Sequence, residues 1–443
     1  MQRLLIKLDR TSTRITPQRA LEKLKLKAPR KPLDPIPALI ARHASVSSGF
    51  AHKVNPKRSF AEQNKWDAKL LIEHVRRMQA KEYGELYLND DQAGLLALKA
   101  ACLVKDDMEK VRRDDYAVEP MGFGKTIVHT DTIKALYDDE RVFIWVAPNH
   151  QLLKKNAEEL QARWPEIYHK KHNKGALAYF SGAVKQEIKP GTKIIMATPA
   201  QLNRLVDEGL VKPGLNTVLL IDELHETMTE MRASGIKRFQ QAQSLIFGLT
   251  GTDAYSDGRV VADELFDGAQ PIHRMPIREA VQKKYTCPFG FTIKDVDTRI
   301  SDDQVRADIE RNNKGLDKAR IDRIVNIEQK RASMRARVEM DALHWAVDVN
   351  PYTGEKIFGK PKFSFFTQKK WAELSVEMHN KIYGKGTAAV YHSDLSQSER
   401  KRIERDFRDG KIKVLCSVKC LSRGINIKNL ANISIISNTK SAL

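Results

Sequence analysis

Apolar runs alternate with amphipathic segments through the middle of the chain. Val142–Ala147, Ala176–Phe180, Lys193–Ala197, Thr217–Ile221 and Ser244–Leu249 are almost continuously apolar. Strands of that kind are covered on both faces, so the pattern predicts a parallel sheet wound with helical crossovers. A shorter apolar run, Tyr116–Val118, leads into a glycine-rich turn, and a mixed run, Ile127–Tyr137, follows it. Ahead of these, Trp66, Leu70, Leu71, Val75 and Met78 recur at helical spacing within Phe60–Lys81, and a second helix is predicted over Asp91–Met108. Between Ser301 and Ala346 the chain is dense in Arg, Lys, Asp and Glu, with Ile309, Ile321, Ile324, Ile327, Met334 and Val338 at broadly helical spacing. That stretch predicts one or two exposed helices. Asn350–Lys360 carries turn residues and predicts a loop or hairpin.

Size and charge narrow the class. At 443 residues the chain has room for two or three domains, and its 41% hydrophobic content is that of an ordinary globular protein. No apolar run approaches the roughly 20 residues a membrane helix needs. The opening MQRLLIKLDR interrupts its apolar positions with charge and does not read as a secretory signal. Cys102, Cys287, Cys416 and Cys420 are too few and too scattered for a disulfide framework or a four-cysteine zinc site, and reduced thiols fit a cytoplasmic setting. The net charge of +20 makes a polyanion the natural partner. Residues 1–60 hold fourteen Lys and Arg against three acids. Four prolines in Ala28–Pro37 rule out a continuous helix there, so this stretch reads as a partly extended basic arm. It either contacts nucleic-acid backbone or is a disordered, processed or transit segment. The charged helices within 301–346 are, likewise, either a solvated face or a basic surface for nucleic acid.

Candidate chemistry begins at Glu119–Thr126, EPMGFGKT. A glycine-rich turn that leaves a strand and opens a helix wraps backbone N–H groups around phosphate. Met121, Gly122, Phe123 and Gly124 form the turn, Lys125 reaches the β/γ-phosphates, and Thr126 ligates Mg²⁺. Gln92, on a turn before a helix some thirty residues earlier, either reads an adenine edge or simply starts the helix. In a parallel sheet a ligand sits at the carboxyl ends of the strands. Thr217–Ile221 runs into Asp222, Glu223, Leu224 and His225; Ser244–Leu249 runs into Thr250, Gly251 and Thr252. Asp222 is placed to hold Mg²⁺, and Glu223 to orient and deprotonate an attacking water.

The order of these motifs resembles that of the superfamily 2 helicases carrying DExH. GFGKT is similar to motif I, APNHQLL (Ala147–Leu153) to motif Ia, ATPAQL (Ala197–Leu202) to motif Ib, and DELH and TGT to motifs II and III. FSFFTQ (Phe363–Gln368) resembles motif IV, Tyr391–Ser417 resembles the unit before motif V, and SRGINI (Ser422–Ile427) resembles motif V. The ending RGINIKNLANISIISNTKSAL looks most like the phage UvsW type of branch-migrating DNA helicase. The resemblance implies an α/β fold of two RecA-like lobes closing on ATP and Mg²⁺. It also implies nucleotide contacts from Gly424 and Asn426, a grip on nucleic acid by Pro148, Asn149, Thr198, Pro199, Thr367, Ser417 and Arg423, and coupling through His225 and Thr250–Thr252.

Three departures accompany it. Glu119 stands where relatives have a small residue, Asn426 where many have Asp, and no arginine-bearing motif VI follows before Leu443. An arginine finger is worth about 10³ to 10⁵ in turnover. On this reading the second lobe is incomplete: the chain is a truncated or split product, or a partner chain supplies the arginines. The expected layout is therefore a basic arm (1–60), a first lobe with leading helices (61–270), an inter-lobe connection (271–360) and a truncated second lobe (361–443). The expected function is ATP-driven helicase or translocase activity, on DNA more than RNA. The rivals are a non-hydrolysing nucleic-acid binder and the motor part of a restriction system, for which no PD…ExK constellation is found.

Overall fold

The apolar runs form strands in the computed structural model, which describes residues 58–82, 87–105, 113–138, 140–168, 177–182, 184, 186–189, 192–255, 258–288, 302–312, 317–350, 354–418 and 430–436. The expected basic arm, apart from its last three residues, and Arg423, Gly424 and Asn426 lie outside them. The chain divides into two units, Met1–Cys287 and Pro288–Leu443.

The first unit is built on β1 (Asp114–Val118), β2 (Val142–Val146), β3 (Leu177–Phe180), β4 (Ile194–Ala197), β5 (Thr217–Asp222), β6 (Leu245–Thr250) and β7 (His273–Arg274). They form one seven-stranded sheet in the order β3-β4-β2-β5-β6-β1-β7, every pair parallel. Because side chains alternate across the pleat, each central strand feeds two cores. Trp145, Leu220 and Phe247 enter one, and Ile144, Ile221 and Ile246 enter the other. All six residues of β5 and of β6 are buried, which is why these strands read as unbroken apolar runs.

Two leading helices, α1 (Phe60–Gln79) and α2 (Asp90–Leu103), join the first of these cores. Each starts in a reciprocal capping box, Ser59 with Glu62 and Asn89 with Gln92, which satisfies two otherwise orphaned N–H groups. On α1, Asp67 is buried and paired with Arg113 at 3.0 Å and Arg141 at 2.6 Å, fastening that helix to the sheet.

The first unit also holds α3 (Lys125–Leu136), α4 (His150–Arg163), α5 (Leu202–Asp207), α6 (Glu230–Gln241), α7 (Val261–Leu265) and α8 (Ile277–Gln282). The second unit contains α9 (Asp302–Asn312) and the 30-residue α10 (Lys318–Val347). They precede a four-stranded parallel sheet of β8 (Lys362–Phe366), β9 (Ala388–Tyr391), β10 (Val414–Val418) and β11 (Asn432–Ile436), ordered β11-β8-β10-β9. The fold is thus α/β with two parallel sheets, the class expected of two RecA-like lobes.

The stretch 271–360, expected as an inter-lobe connection, divides between the two units. His273–Arg274 pairs with β1 as an edge strand of the first sheet. The expectation of exposed helices over 301–346 holds for only part of α10, because Met334, Val338 and Trp345 are core residues of the second unit. A charge-rich sequence hid this, since the apolar stripe needs only one face of the helix. Asn350–Lys360 does fold back, through the antiparallel bridge Val349 to Lys356. Among the described residues, no helix is long and apolar enough to cross a membrane.

Candidate nucleotide site

The phosphate loop bridges β1 and α3 (Lys125–Leu136). Gly122 and Gly124 take φ of +85° and +88°, a left-handed conformation that side-chain-bearing residues rarely adopt. Gly122 also has no room for a methyl group, since a Cβ there would lie 1.9 Å from the Tyr285 carbonyl oxygen. Gly124 is the N-cap of α3 and supplies no side-chain cap, leaving the first turn to an anion. Met121 projects into solvent at 79% exposure, whereas the Phe123 ring is buried against the edge of Tyr285. Of the two, Phe123 therefore offers a ligand its backbone only.

The strand order places β6 between β1 and β5, so motifs I, III and II line up along one sheet edge. Lys125 Nζ donates to the carbonyls of Glu119 at 3.1 Å and Pro120 at 3.5 Å. Gly251, at the end of β6, lies beside this ammonium: a Cβ there would stand 3.9 Å from Lys125 Nζ, an ordinary contact.

Across β6, Asp222 is buried at the end of β5. Burial pushes its carboxyl above the ordinary range, against the pull of the Lys125 charge, Asn156 and the Glu223 N–H. Asn156 Nδ2 donates to Asp222 Oδ2 at 3.3 Å, and the Glu223 N–H donates to Oδ1 at 3.1 Å. Glu223 has φ of +51°, a strained backbone for a residue with a side chain. The turn is held by Leu224, which packs over Gly248, where a Cβ would sit 2.6 Å from Leu224 Cδ2.

His225 Nδ1 lies 2.8 Å from Thr250 Oγ1 and 3.6 Å from Glu223 Oε2, and Thr250 donates to the Thr252 carbonyl at 2.5 Å. Residues from two strand ends are thereby joined in one hydrogen-bonded chain. Gln92 caps α2 through Oε1 and donates from Nε2 to the Phe123 carbonyl at 2.8 Å. In this arrangement it starts a helix and also braces the phosphate loop.

These groups fit a Mg²⁺-bound nucleoside triphosphate. The free helix terminus and Lys125 suit phosphate, and Thr126 with the buried Asp222 offers the hard oxygens Mg²⁺ prefers. Among the described residues no three His, Cys, Asp or Glu side chains cluster as a metal cage. A Mg²⁺ held by Thr126 and Asp222 would draw the rest of its oxygen ligands from outside the protein.

Pro148 and Asn149 follow β2, and Thr198 and Pro199 follow the adjacent β4, so these four share the edge that bears the phosphate loop. Asn149 is engaged as the N-cap of α4 (His150–Arg163), accepting from the Leu152 N–H at 3.0 Å. In the second unit Thr367 follows β8 and is half-buried. Ser417 on β10 is fully buried, its hydroxyl without a partner among the described residues, and so presents nothing to solvent.

Sequence reasoning missed Asn156 and the partner of Glu119. Asn156 had a signal, a polar residue in the buried stripe Leu153, Asn156, Ala157 and Leu160 of α4. Glu119 pairs with His273, 154 positions away on a two-residue strand, for which no local signal exists.

Residues 85–254 match the family model "Type III restriction enzyme, res subunit" and residues 355–442 match "Helicase conserved C-terminal domain". The RNA helicase CrhR of Synechocystis is 44% identical over 43 residues, 10% of this chain and 9% of that protein. The ATP-dependent RNA helicase rok1 of Aspergillus clavatus is 31% identical over 80 residues, 17% of this chain and 11% of that protein. The chain thus aligns with only about a tenth of the length of these relatives. Among solved structures, the DUF1998 helicase MrfA bound to DNA and AMPPNP gives a TM-score of 0.48 at 16% identity, covering 82% of this chain and 46% of that one. Dbp5 of S. cerevisiae bound to RNA and ADP BeF3 gives 0.43 at 16% identity, covering 82% and 77%. Both helicase domain models are matched in order, and the phosphate loop stands in line with an acidic strand end, so the chain is similar to helicases in both of its units.

Proposed function

We propose that this chain couples ATP hydrolysis to movement along nucleic acid, with DNA as the track. The observation that carries the reading is the alignment of Lys125, Asp222 and the His225–Thr250 pair along the carboxyl ends of β1, β5 and β6. ATP·Mg²⁺ supplies the energy-rich phosphoanhydride and the charge that polarises it. Lys125 would exchange its two carbonyl partners for β/γ-phosphate oxygens, and Thr126 and Asp222 would hold the cation. Glu223 orients water for in-line attack and takes its proton. The hydrogen bond from His225 to Thr250 carries the change at β5 to the Thr250–Thr252 segment, which couples it to the nucleic-acid side. Net charge of +20 supports a nucleic-acid track of either kind, and only the resemblance of the C-terminal part to UvsW-type enzymes favours DNA. Pro148, Asn149, Thr198, Pro199, Thr367 and Arg423 are the proposed strand contacts, and the cytoplasm of a bacterial or phage-infected cell is the proposed setting.

ATP turnover measured with single-stranded DNA, RNA or neither tests this. DNA-stimulated turnover that vanishes in Lys125→Ala is expected. Affinity for DNA without turnover above that variant overturns the motor reading in favour of a non-hydrolysing binder or a core that needs arginines from a partner chain. The match of residues 85–254 to the res-subunit family favours one second reading, the motor part of a restriction system. ATP-dependent cleavage of DNA on addition of a nuclease partner would support it.

A further inference from the structure

Glu119 stands at the entrance to the phosphate loop and is fully buried, a position in which an uncompensated carboxylate is expensive. Its N–H donates to the Thr250 carbonyl at 2.8 Å, and its own carbonyl accepts from Lys125 Nζ at 3.1 Å. Its carboxylate reaches the other way, with Oε1 2.5 Å from Nδ1 of His273 on β7. Oε2 is buried and has no hydrogen-bond partner among the described residues. One residue thereby touches the lysine of the phosphate loop, the end of β6 and the edge strand beyond β1.

We propose that Glu119 is a positioning residue for ATP: held by His273, it fixes the carbonyl that tethers Lys125 and so sets where the ammonium meets phosphate. This role rests on the ATP-site reading above. A small residue would supply the same carbonyl without the side-chain anchor, which makes the entrance of this loop dependent on β7. The segment after β7 reinforces the dependence, since the Tyr285 carbonyl covers Gly122 while the Tyr285 hydroxyl and Lys283 both bond Asp91, at 2.7 and 2.6 Å.

The pair holds one proton between two groups whose titrations burial and contact both shift. Burial pushes the Glu119 carboxyl up, opposed by His273 and Lys125. Burial alone would lower His273, but the hydrogen bond and charge of Glu119 outweigh it and raise the imidazole above its ordinary value. The other charged groups facing the pair are Lys125, Asp91 and Glu279. Loss of the shared proton leaves a net negative charge behind the loop that binds phosphate. Affinity for ATP therefore weakens as pH rises through the raised His273 value.

Equilibrium binding of a fluorescent ATP analogue with Mg²⁺, followed across pH, reads this without requiring turnover. Glu119→Ala is expected to weaken binding about tenfold, the worth of one charge-assisted hydrogen bond. Glu119→Gln, which keeps size and a hydrogen bond, is expected to restore most of that affinity and to abolish the alkaline loss. His273→Ala combined with Glu119→Ala should weaken binding no more than either alone. Should Glu119→Ala not fold, the pH profile of Glu119→Gln decides alone. A wild-type alkaline loss in Glu119→Gln, or additive losses in the double variant, overturns the positioning role. Lys125→Ala separates the two levels: unchanged binding there sinks the ATP site itself, whereas lost binding there with wild-type behaviour at Glu119 and His273 sinks only this inference.

Discussion

Lys125 and Asp222 carry opposite charges within electrostatic reach of each other at the rim of the first sheet, Lys125 held by two backbone carbonyls and Asp222 by Asn156 and the Glu223 N–H. Replacing Lys125 by Ala removes a charged donor worth about 1.5–3 kcal/mol, so ATP affinity should fall roughly 10- to 150-fold in a titration. Asp222→Asn should leave ATP binding without Mg²⁺ nearly unchanged and remove the gain Mg²⁺ brings, which the same titration with and without the cation reads. A third residue reports on stability instead. His129 is buried under β5, 3.3 Å from the Ile221 carbonyl and edge-on to Trp145 and Phe247. Burial pulls its pKa from 6.5 to about 3, so between those values the unfolded chain binds a proton that the folded chain does not. Stability should therefore decline as pH falls below about 6.5, by up to about 1.4 kcal/mol per pH unit. Chemical denaturation from pH 7 to pH 4 should show a shallower decline in His129→Phe.

At the scale of elements, the apolar strands of the first sheet were legible, its short edge strand β7 was not, and one helix was misjudged. A parallel strand covered on both faces must be apolar throughout, so Thr217–Ile221 announces itself. A long helix needs apolar residues on one stripe only; Met334 and Val338 were visible at helical spacing, but the charges around them and Trp345 in α10 hid that the stripe is buried. Trp345 packs edge-on to Tyr383 with ring centroids 5.0 Å apart. Trp345→Ala should cost the second unit about 3–5 kcal/mol, seen as an earlier unfolding transition in denaturant. In the first unit, Gly122→Ala sets a methyl group against the Tyr285 carbonyl at a positive φ. It should weaken ATP binding while leaving the melting of α1 and α2, followed by hydrogen exchange, largely unchanged.

For the molecule as a whole, charge is the property that chooses the partner. Residues 1–60 contain fourteen Lys and Arg against three acids, more than half of the net +20. Each phosphate neutralised contributes about −0.9 to the slope of log affinity against log salt. A chain starting at residue 61 should bind DNA with a shallower slope than the full chain; an unchanged slope would show that the basic stretch makes no phosphate contact.

The sequence by itself determined the strand–loop–helix of Glu119–Thr126, the acidic strand end at Asp222 and Glu223, and their order along the chain. Each is a local pattern, set by burial of consecutive residues or by the backbone freedom of glycine. Only the tertiary structure decided that Asn156 faces Asp222, that Leu224 seats over Gly248, and that Glu119 is answered by His273. Those pairings join residues far apart in the chain, and nothing local to either partner encodes the other. They exist because strand order brings β1, β5, β6 and β7 to one edge, where burying a polar atom requires a partner from whichever element arrives beside it.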